Sequence, residues 1–214
     1  MNGRILDIKI HKLPQPRIGL RKIGESYLAE VKVLRTGSFE MVNEEGCKAV
    51  CTLTLVKDEG KTILVDTGNV GEEKSVREVL EKEALSPDRI DYLVLTHYHP
   101  DHVGNMNLFT NAVFIDAVET FKGSDFRFFE KEYSIGKHSK VIRTPGHYSN
   151  DDCTLLVNTE KGKVAIVGDL FWSGQKDLPP FIFDRKILRR TRDKILKMAD
   201  FIVPGHGDIF RVTK

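Results

Sequence analysis

The hydrophobic pattern has a period of two in the first third of the chain and a mixed character after it. SYLAEVKVL (26–34) and CTLTLVKD (51–58) alternate apolar and polar positions as half-buried strands do. Glu59-Gly60 and then KTILVDTG follow the second run, which predicts a hairpin. After a break at Asn69 to Gly71, EEKSVREVLEKEAL sets Val76, Val79 and Leu80 at helical spacing among charges, predicting an amphipathic helix that ends before Pro87. Four short apolar runs then each stop at a polar cluster: DYLVLT before HYHPDH, KVIRTPG before His147, KVAIVG before Asp169, and DFIVPG before His206. They are expected to be four strands ending at one edge. Between them, a helix is expected to begin after Pro100, and DRKILRRTRDKILKMAD (184–200) reads as a helix with Ile187, Leu188, Thr191 and Ile195 on one stripe. The whole predicts one domain over 1–214, with two sheets covered by helices; the pattern alone does not separate parallel from antiparallel pairing.

Composition narrows the class only a little. The 214 residues suffice for one sizeable core, and 33 basic against 31 acidic residues leave a net charge of +2, too small for a global field that would favour nucleic acid or a membrane. No run approaches a membrane span and the first residues lack the apolar core of a secretory signal, so the expectation is a soluble, cytoplasmic protein. Cys47, Cys51 and Cys153 form no C-x-x-C and are read as reduced cysteines on half-buried strands.

The chemistry concentrates in His97-Tyr98-His99-Pro100-Asp101-His102, three imidazoles and a carboxylate within six residues. A zinc-like cation takes imidazole nitrogen and carboxylate oxygen at roughly 2.0–2.2 Å, so its ligands must converge from rigid supports. In an extended segment His97 and His99 point the same way and can clasp one ion. If Pro100 turns the chain into a helix, Asp101 and His102 face elsewhere and can serve a second. His147 and His206 each follow Pro-Gly after an apolar run, and Asp169 follows Gly168 in the same setting. His11 and His138 stand alone and are read as ordinary surface or core histidines.

These motifs resemble the metallo-β-lactamase superfamily: T-H-x-H-x-D-H at Thr96 to His102, T-P-G-H at Thr144 to His147, G-D at Gly168-Asp169, P-G-H-G at Pro204 to Gly207, and Val65-Asp66-Thr67-Gly68 as the first motif, all in family order. The resemblance implies an α/β four-layer αββα sandwich with metals at one edge of the two sheets. It implies that His97, His99 and His147 hold one metal, that Asp101, His102 and His206 hold the other, and that Asp169 bridges, with Asp66 an orienting carboxylate behind them. Two divalent ions are expected, zinc first, with iron or manganese as alternatives. A bridging hydroxide would attack an ester-like or phosphoester bond, with Asp101 as the catalytic carboxylate that orients it and takes its proton. THYHPDHVGNMNLF and ADFIVPGHGDIFRV are most similar to the metallo-β-lactamase-domain-containing protein one group, associated in animals with ribonuclease activity.

Departures from the family patterns narrow the subfamily. Only eight residues follow His206, His99 stands where a flavodiiron protein carries Glu, and Asp169 stands where the best-known β-lactamases carry Cys. A thioesterase or lactonase remains open, as does a mononuclear iron oxygenase resembling persulfide dioxygenases, which would use His97, His147 and Asp169. Two aromatic segments, read as loops, are candidates for a substrate pocket: FKGSDFRFFEKEY (121–133) and FWSGQKDLPPF (171–181), with Trp172 and Phe171 beside Asp169. The partner is then a small-molecule or phosphoester substrate. Nucleic acid is the weaker reading of the basic helix 184–200, whose Arg185, Lys186, Arg189, Arg190, Arg192, Lys194 and Lys197 are read first as a solvated face. The oligomeric state is open, a homodimer included.

Overall fold

Glu59 and Gly60 both take positive φ, 50° and 79°, as a two-residue hairpin loop of the favoured twist requires. They join the strands that nucleate the first sheet in a computed structural model that describes residues 28–213. His11 and the first two residues of the run 26–34 lie outside the described residues. In chain order the elements are β1 (Glu30–Arg35), β2 (Ser38–Asn43), β3 (Gly46–Val50), β4 (Leu53–Asp58), β5 (Lys61–Val65), α1 (Glu73–Glu81), β6 (Tyr92–Val94), α2 (Pro100–Val103) and β7 (Val113–Ile115). There follow β8 (Glu119–Lys122), β9 (Asp125–Phe128), β10 (Glu132–Ser134), β11 (Ser139–Arg143), β12 (Cys153–Thr159), β13 (Gly162–Ile166), α3 (Arg185–Met198), β14 (Phe201–Val203) and β15 (Phe210–Arg211).

Among the described residues one sheet runs β1-β4-β5-β6-β7-β8-β9 and a second β10-β11-β12-β13-β14-β15, while β2 and β3 pair only with each other. Both large sheets are mixed: β5, β6 and β7 are parallel neighbours, as are β13 and β14, and the remaining pairs are antiparallel. Val56, Ile63, Val65, Val94 and Ile115 of the first sheet face Val141, Leu155, Val157, Val164 and Ile166 of the second. On the outer face of the first sheet, Leu55, Leu64 and Leu93 pack with Val76 and Leu80 of α1. On the outer face of the second, Leu156, Ala165 and Ile202 pack with Leu188 and Ile195 of α3. The layers are helix, sheet, sheet, helix, the expected sandwich.

This layering corrects the half-buried reading of 51–58. Leu53 and Leu55 face the helix layer, Val56 faces the other sheet, and all but Lys57 of β4 are buried, because both faces are covered. The segment 121–133 is likewise not a loop: β8, β9 and β10 run through it, and Phe121 stacks between Phe114 and Phe126 along the sheet. The first helix stops at Glu81, earlier than Pro87 demands, since Ala84 takes φ +55° and the Leu85 N–H returns to the Leu80 carbonyl. After Pro100 the helix is one turn, and 106–108 is a separate 3-10 turn. In α3, capped by Asp184 through the N–H groups of Lys186 and Ile187, the buried stripe is Leu188, Thr191, Arg192 and Ile195; Ile187 is half-buried. All three cysteines are free, with Cys51 and Cys153 fully buried rather than half-buried. Among the described residues no helix is long and apolar enough to cross a membrane.

Candidate metal centre

β5 and β6 run parallel, so both deliver their ends to one edge. β11, β13 and β14 share one direction in the other sheet, since β12 is antiparallel to both β11 and β13 while β14 is parallel to β13. The loops that leave these strands carry every histidine and carboxylate singled out in the motifs. At the end of β5 stands Asp66, buried with φ +61°, a conformation uncommon outside glycine and sustained by what its carboxylate holds. Oδ1 accepts from the Thr96 N–H at 2.9 Å, and Oδ2 accepts from the Thr96 hydroxyl at 2.9 Å and from His102 Nδ1 at 2.8 Å. Asp66 thereby fixes the loop after β6 and sets the His102 tautomer, leaving the Nε2 lone pair free.

His97 and His99 project the same way from an extended segment, with Nε2 of the first 2.9 Å from Nδ1 of the second. His147 Nε2 stands 3.1 Å from the same His99 nitrogen. α2 then turns Asp101 and His102 to the other side. Asp169 lies between the two groups: Oδ2 is 3.3 Å from His147 Nε2 and 3.8 Å from His97 Nε2, while Oδ1 is 3.3 Å from both His102 Nε2 and His206 Nε2. Asp101 Oδ2 is 3.5 Å from those last two nitrogens. His97, His99, His147 and Asp169 form one set able to hold a cation, and Asp101, His102 and His206 a second.

The donor geometry fits such ions. Ligand atoms at roughly 2.0–2.2 Å from a tetrahedral ion lie roughly 3.3–3.6 Å from one another, close to the 3.3 and 3.5 Å separations around His102 and His206. Asp101 Oδ2, His102 Nε2, Asp169 Oδ1 and His206 Nε2 are all buried without a hydrogen-bond partner. Four converging orphans are costly unless something charged sits among them. The Nδ1 of His206 points at the carbonyls of Val50 and Ser38, 3.0 and 3.2 Å away; carbonyls only accept, so the proton is on Nδ1 and the lone pair faces the site. The backbone makes room where needed: a Cβ on Gly205 would overlap Asp169 Oδ1, and one on Gly168, at φ +51°, would meet Thr96 Oγ1.

Burial pushes His97 well below the usual imidazole range and lowers His99, which keeps both neutral and able to ligate. For His102 burial acts the same way but is overcome by the carboxylates of Asp169 and Asp66, which raise it. Burial would raise Asp169, yet the His102 imidazole beside it, with His147 and His206 close by, holds it well below the carboxylate range.

Around the centre the sequence reading needs one correction and several additions. Phe171 is fully buried in the core under α3, edge-on to Phe210, and lines no opening. Trp172 is half-buried and its ring centroid is 4.1 Å from that of His206, with Phe39 edge-on at 4.8 Å. Arg192 is not part of the solvated face: it lies over the Phe171 ring at 4.3 Å and donates to the carbonyls of Gln175 and Asp177, pinning the segment that carries Trp172. Asp152 accepts from the N–H groups of His147, Tyr148 and Ser149 and so shapes the His147 loop. Its only sequence signal is the turn-rich run H-Y-S-N-D-D. Tyr148 stands edge-on to His99 at 4.6 Å, and Tyr98 donates to Asp116 at 2.6 Å, tethering the residue between His97 and His99.

Comparison with known proteins bears on the family and the fold. Residues 49–120 match the model of the Metallo-beta-lactamase superfamily. A Xenopus laevis protein, metallo-beta-lactamase domain-containing protein 1, is 34% identical over 193 residues, spanning 86% of this chain and 82% of its own length. The chain spans 49 to 64% of the length of nematode and mammalian relatives. Among solved structures, a quorum-quenching N-acyl homoserine lactone lactonase superposes with a TM-score of 0.64 at 18% identity, over 84% of this chain and 92% of that one. AidC, a dizinc quorum-quenching lactonase, gives 0.58 at 20% identity, over 76% and 74%. With the sandwich, the motif order and a relative this similar over most of its length, the chain belongs to the metallo-beta-lactamase superfamily, as a metallohydrolase of that fold.

Proposed function

We infer that the protein is a dinuclear metallohydrolase in which His97, His99 and His147 hold one divalent ion, Asp101, His102 and His206 hold the second, and Asp169 bridges them. The observation that carries this reading is the division of the Asp169 carboxylate, with one oxygen facing His147 and His97 and the other facing His102 and His206. A mononuclear iron centre on His97, His147 and Asp169 would leave Asp101, His102 and His206 converging on nothing, which favours two ions. Zinc suits these nitrogen and oxygen donors best, and the dizinc lactonase sets a precedent within the fold. Iron or manganese would find the same donors acceptable.

Two such ions would lower the pKa of a shared water to ~7 and polarise the scissile group. The chain's own residues do the remainder. Asp101 Oδ2, without a hydrogen-bond partner, orients the attacking water and accepts its proton. Asp66 holds His102, and the Val50 and Ser38 carbonyls hold His206, so that both lone pairs stay aimed at the centre. The bond cleaved is of the ester, thioester, lactone or phosphoester class, ribonuclease action being the variant suggested by the animal relatives' group. Turnover of a lactone, thioester and phosphodiester panel, abolished by chelation and restored by zinc, tests the reading. Asp101→Asn keeps an oxygen donor but loses the base, and turnover is expected to fall by roughly 100-fold or more. Full activity in a folded, metal-loaded Asp101→Asn protein would contradict that role.

A further inference from the structure

β9 ends the first sheet, and among the described residues it pairs with β8 alone. The two-residue turn at Gly123-Ser124, with Gly123 at φ +60°, makes Lys122 and Asp125 the hydrogen-bonded pair that closes the hairpin. Bonding alternates along an antiparallel pair, so Arg127 also bonds back to β8, as does Phe129, whose N–H donates to the Val118 carbonyl at 2.9 Å. The N–H and C=O groups of Phe126 and Phe128 therefore point the other way, off the open edge. All four residues of β9 are exposed, Phe128 at 79% and Phe126 at 53%. An apolar edge with free backbone groups is a template for another strand.

Two features select that strand. Phe114, Phe121 and Phe126 stack in a row across β7, β8 and β9, with centroids 4.9 and 5.4 Å apart and neighbouring planes within 19° of each other, and the row stops at the open edge. Asp125 and Arg127 project from the opposite face of β9, opposite in sign and two residues apart. When β9 pairs antiparallel with its own copy about a two-fold axis, each of its four residues is a possible centre. Centring on Asp125 or Arg127 sets that charge against itself, which is destabilising. Centring on Phe128 sets Arg127 against Phe129. Centring on Phe126 joins the backbone groups that point outward and sets Asp125 against Arg127 twice, at the closely spaced positions between hydrogen-bonded pairs.

We propose that β9 is the interface of a homodimer, pairing antiparallel with β9 of a second copy about a two-fold axis at Phe126. The first sheets of the two copies then form one continuous sheet, the row of three rings becomes six, and two Asp125–Arg127 pairs flank the axis. The symmetry uses up both β9 edges, so assembly through them stops at two copies. Two short strands make an interface at the small end of the specific range, and the dimer is expected to form reversibly at roughly micromolar concentration.

Sedimentation equilibrium on the full chain tests this. The wild type is expected to pass from monomer to dimer as concentration rises. Asp125→Arg and Arg127→Asp each turn both flanking pairs into like charges, and each is expected to weaken association by roughly tenfold or more. An equimolar mixture of the two variants brings opposite charges back to both positions, as does the double variant within one chain, so both are expected to associate as the wild type does. Amide exchange at Phe126 is expected to slow only in the dimer. A wild type that stays monomeric, a dimer that both single variants keep, or a mixture that associates no more tightly than its components overturns the proposal. So does slow exchange at Phe126 in the monomer, which would give the edge to another part of the chain.

Discussion

The ring of Trp172 lies with its centroid 4.1 Å from that of His206, and the His206 N–H donates to the Trp172 carbonyl. The chain's one tryptophan is therefore coupled to a side chain that we assign to the second ion. Loading the metal-free protein with zinc is expected to change Trp172 emission in proportion to occupancy of that site, and His206→Ala is expected to abolish the response. Unchanged emission on loading, checked by fluorescence titration, would separate Trp172 from the centre.

Asp66 touches no proposed ion but holds His102 and Thr96. Losing such an orienting carboxylate typically weakens metal binding by about 10–100-fold. Asp66→Asn is expected to lower affinity for the second equivalent of zinc by that order while the first is weakened less, measured by competition with a chromophoric chelator. Equal weakening of both would show that Asp66 acts on the whole edge rather than on His102.

Arg192 joins α3 to the segment after Asp169 through two carbonyls and the Phe171 ring. Arg192→Met leaves those carbonyls without their charged donor, a loss of about 2–3 kcal/mol, or roughly 5–10 °C in Tm for a chain of this size. Differential scanning calorimetry checks it. A neutral result would mean that the segment holds its position through its pairing with Gly205 and His206 and through the Gln175–Thr213 hydrogen bonds.

Arg35 and Glu72 pair at 2.9 Å, tying the end of β1 to the start of α1. Burial opposes ionisation of Glu72, but the Arg35 guanidinium and the N–H groups of Asn69 hold its carboxyl below the ordinary range. A depressed folded pKa contributes stability that is present above the unfolded value of about 4.3 and is lost as pH falls through the folded value. Glu72 is largely solvent-screened, so the contribution is under ~1 kcal/mol. Glu72→Gln is expected to be slightly less stable than the wild type at pH 7 and equal to it well below pH 4, by urea titration at each pH. A difference that grows toward acid would contradict this sign.

Much of this arrangement was legible in the chain because local rules and global needs agree there. Apolar runs that stop at Thr96, His147, Asp169 and His206 require strands that end together, and Pro100 at the first position of a helical turn separates His97 and His99 from Asp101 and His102. The burial of β4 on both faces was not legible, because alternation marks one covered face and says nothing of a helix layer on the other. Phe171 and Trp172 are neighbours of the same chemical type, and only the packing of α3 decides that one enters the core and the other stands against His206. Arg192 reads as one cation in a basic run; its burial follows from the long-range contacts to Gln175 and Asp177.

The most direct measurement is the number and identity of metal ions per chain, by elemental mass spectrometry on protein purified without added metal or chelator. The two sets of donors on either side of Asp169 predict close to two zinc ions per chain, falling to one or fewer in Asp169→Ala. Close to one iron per chain, unaffected by His206→Ala, would contradict the dinuclear account and place the chemistry on His97, His147 and Asp169 alone.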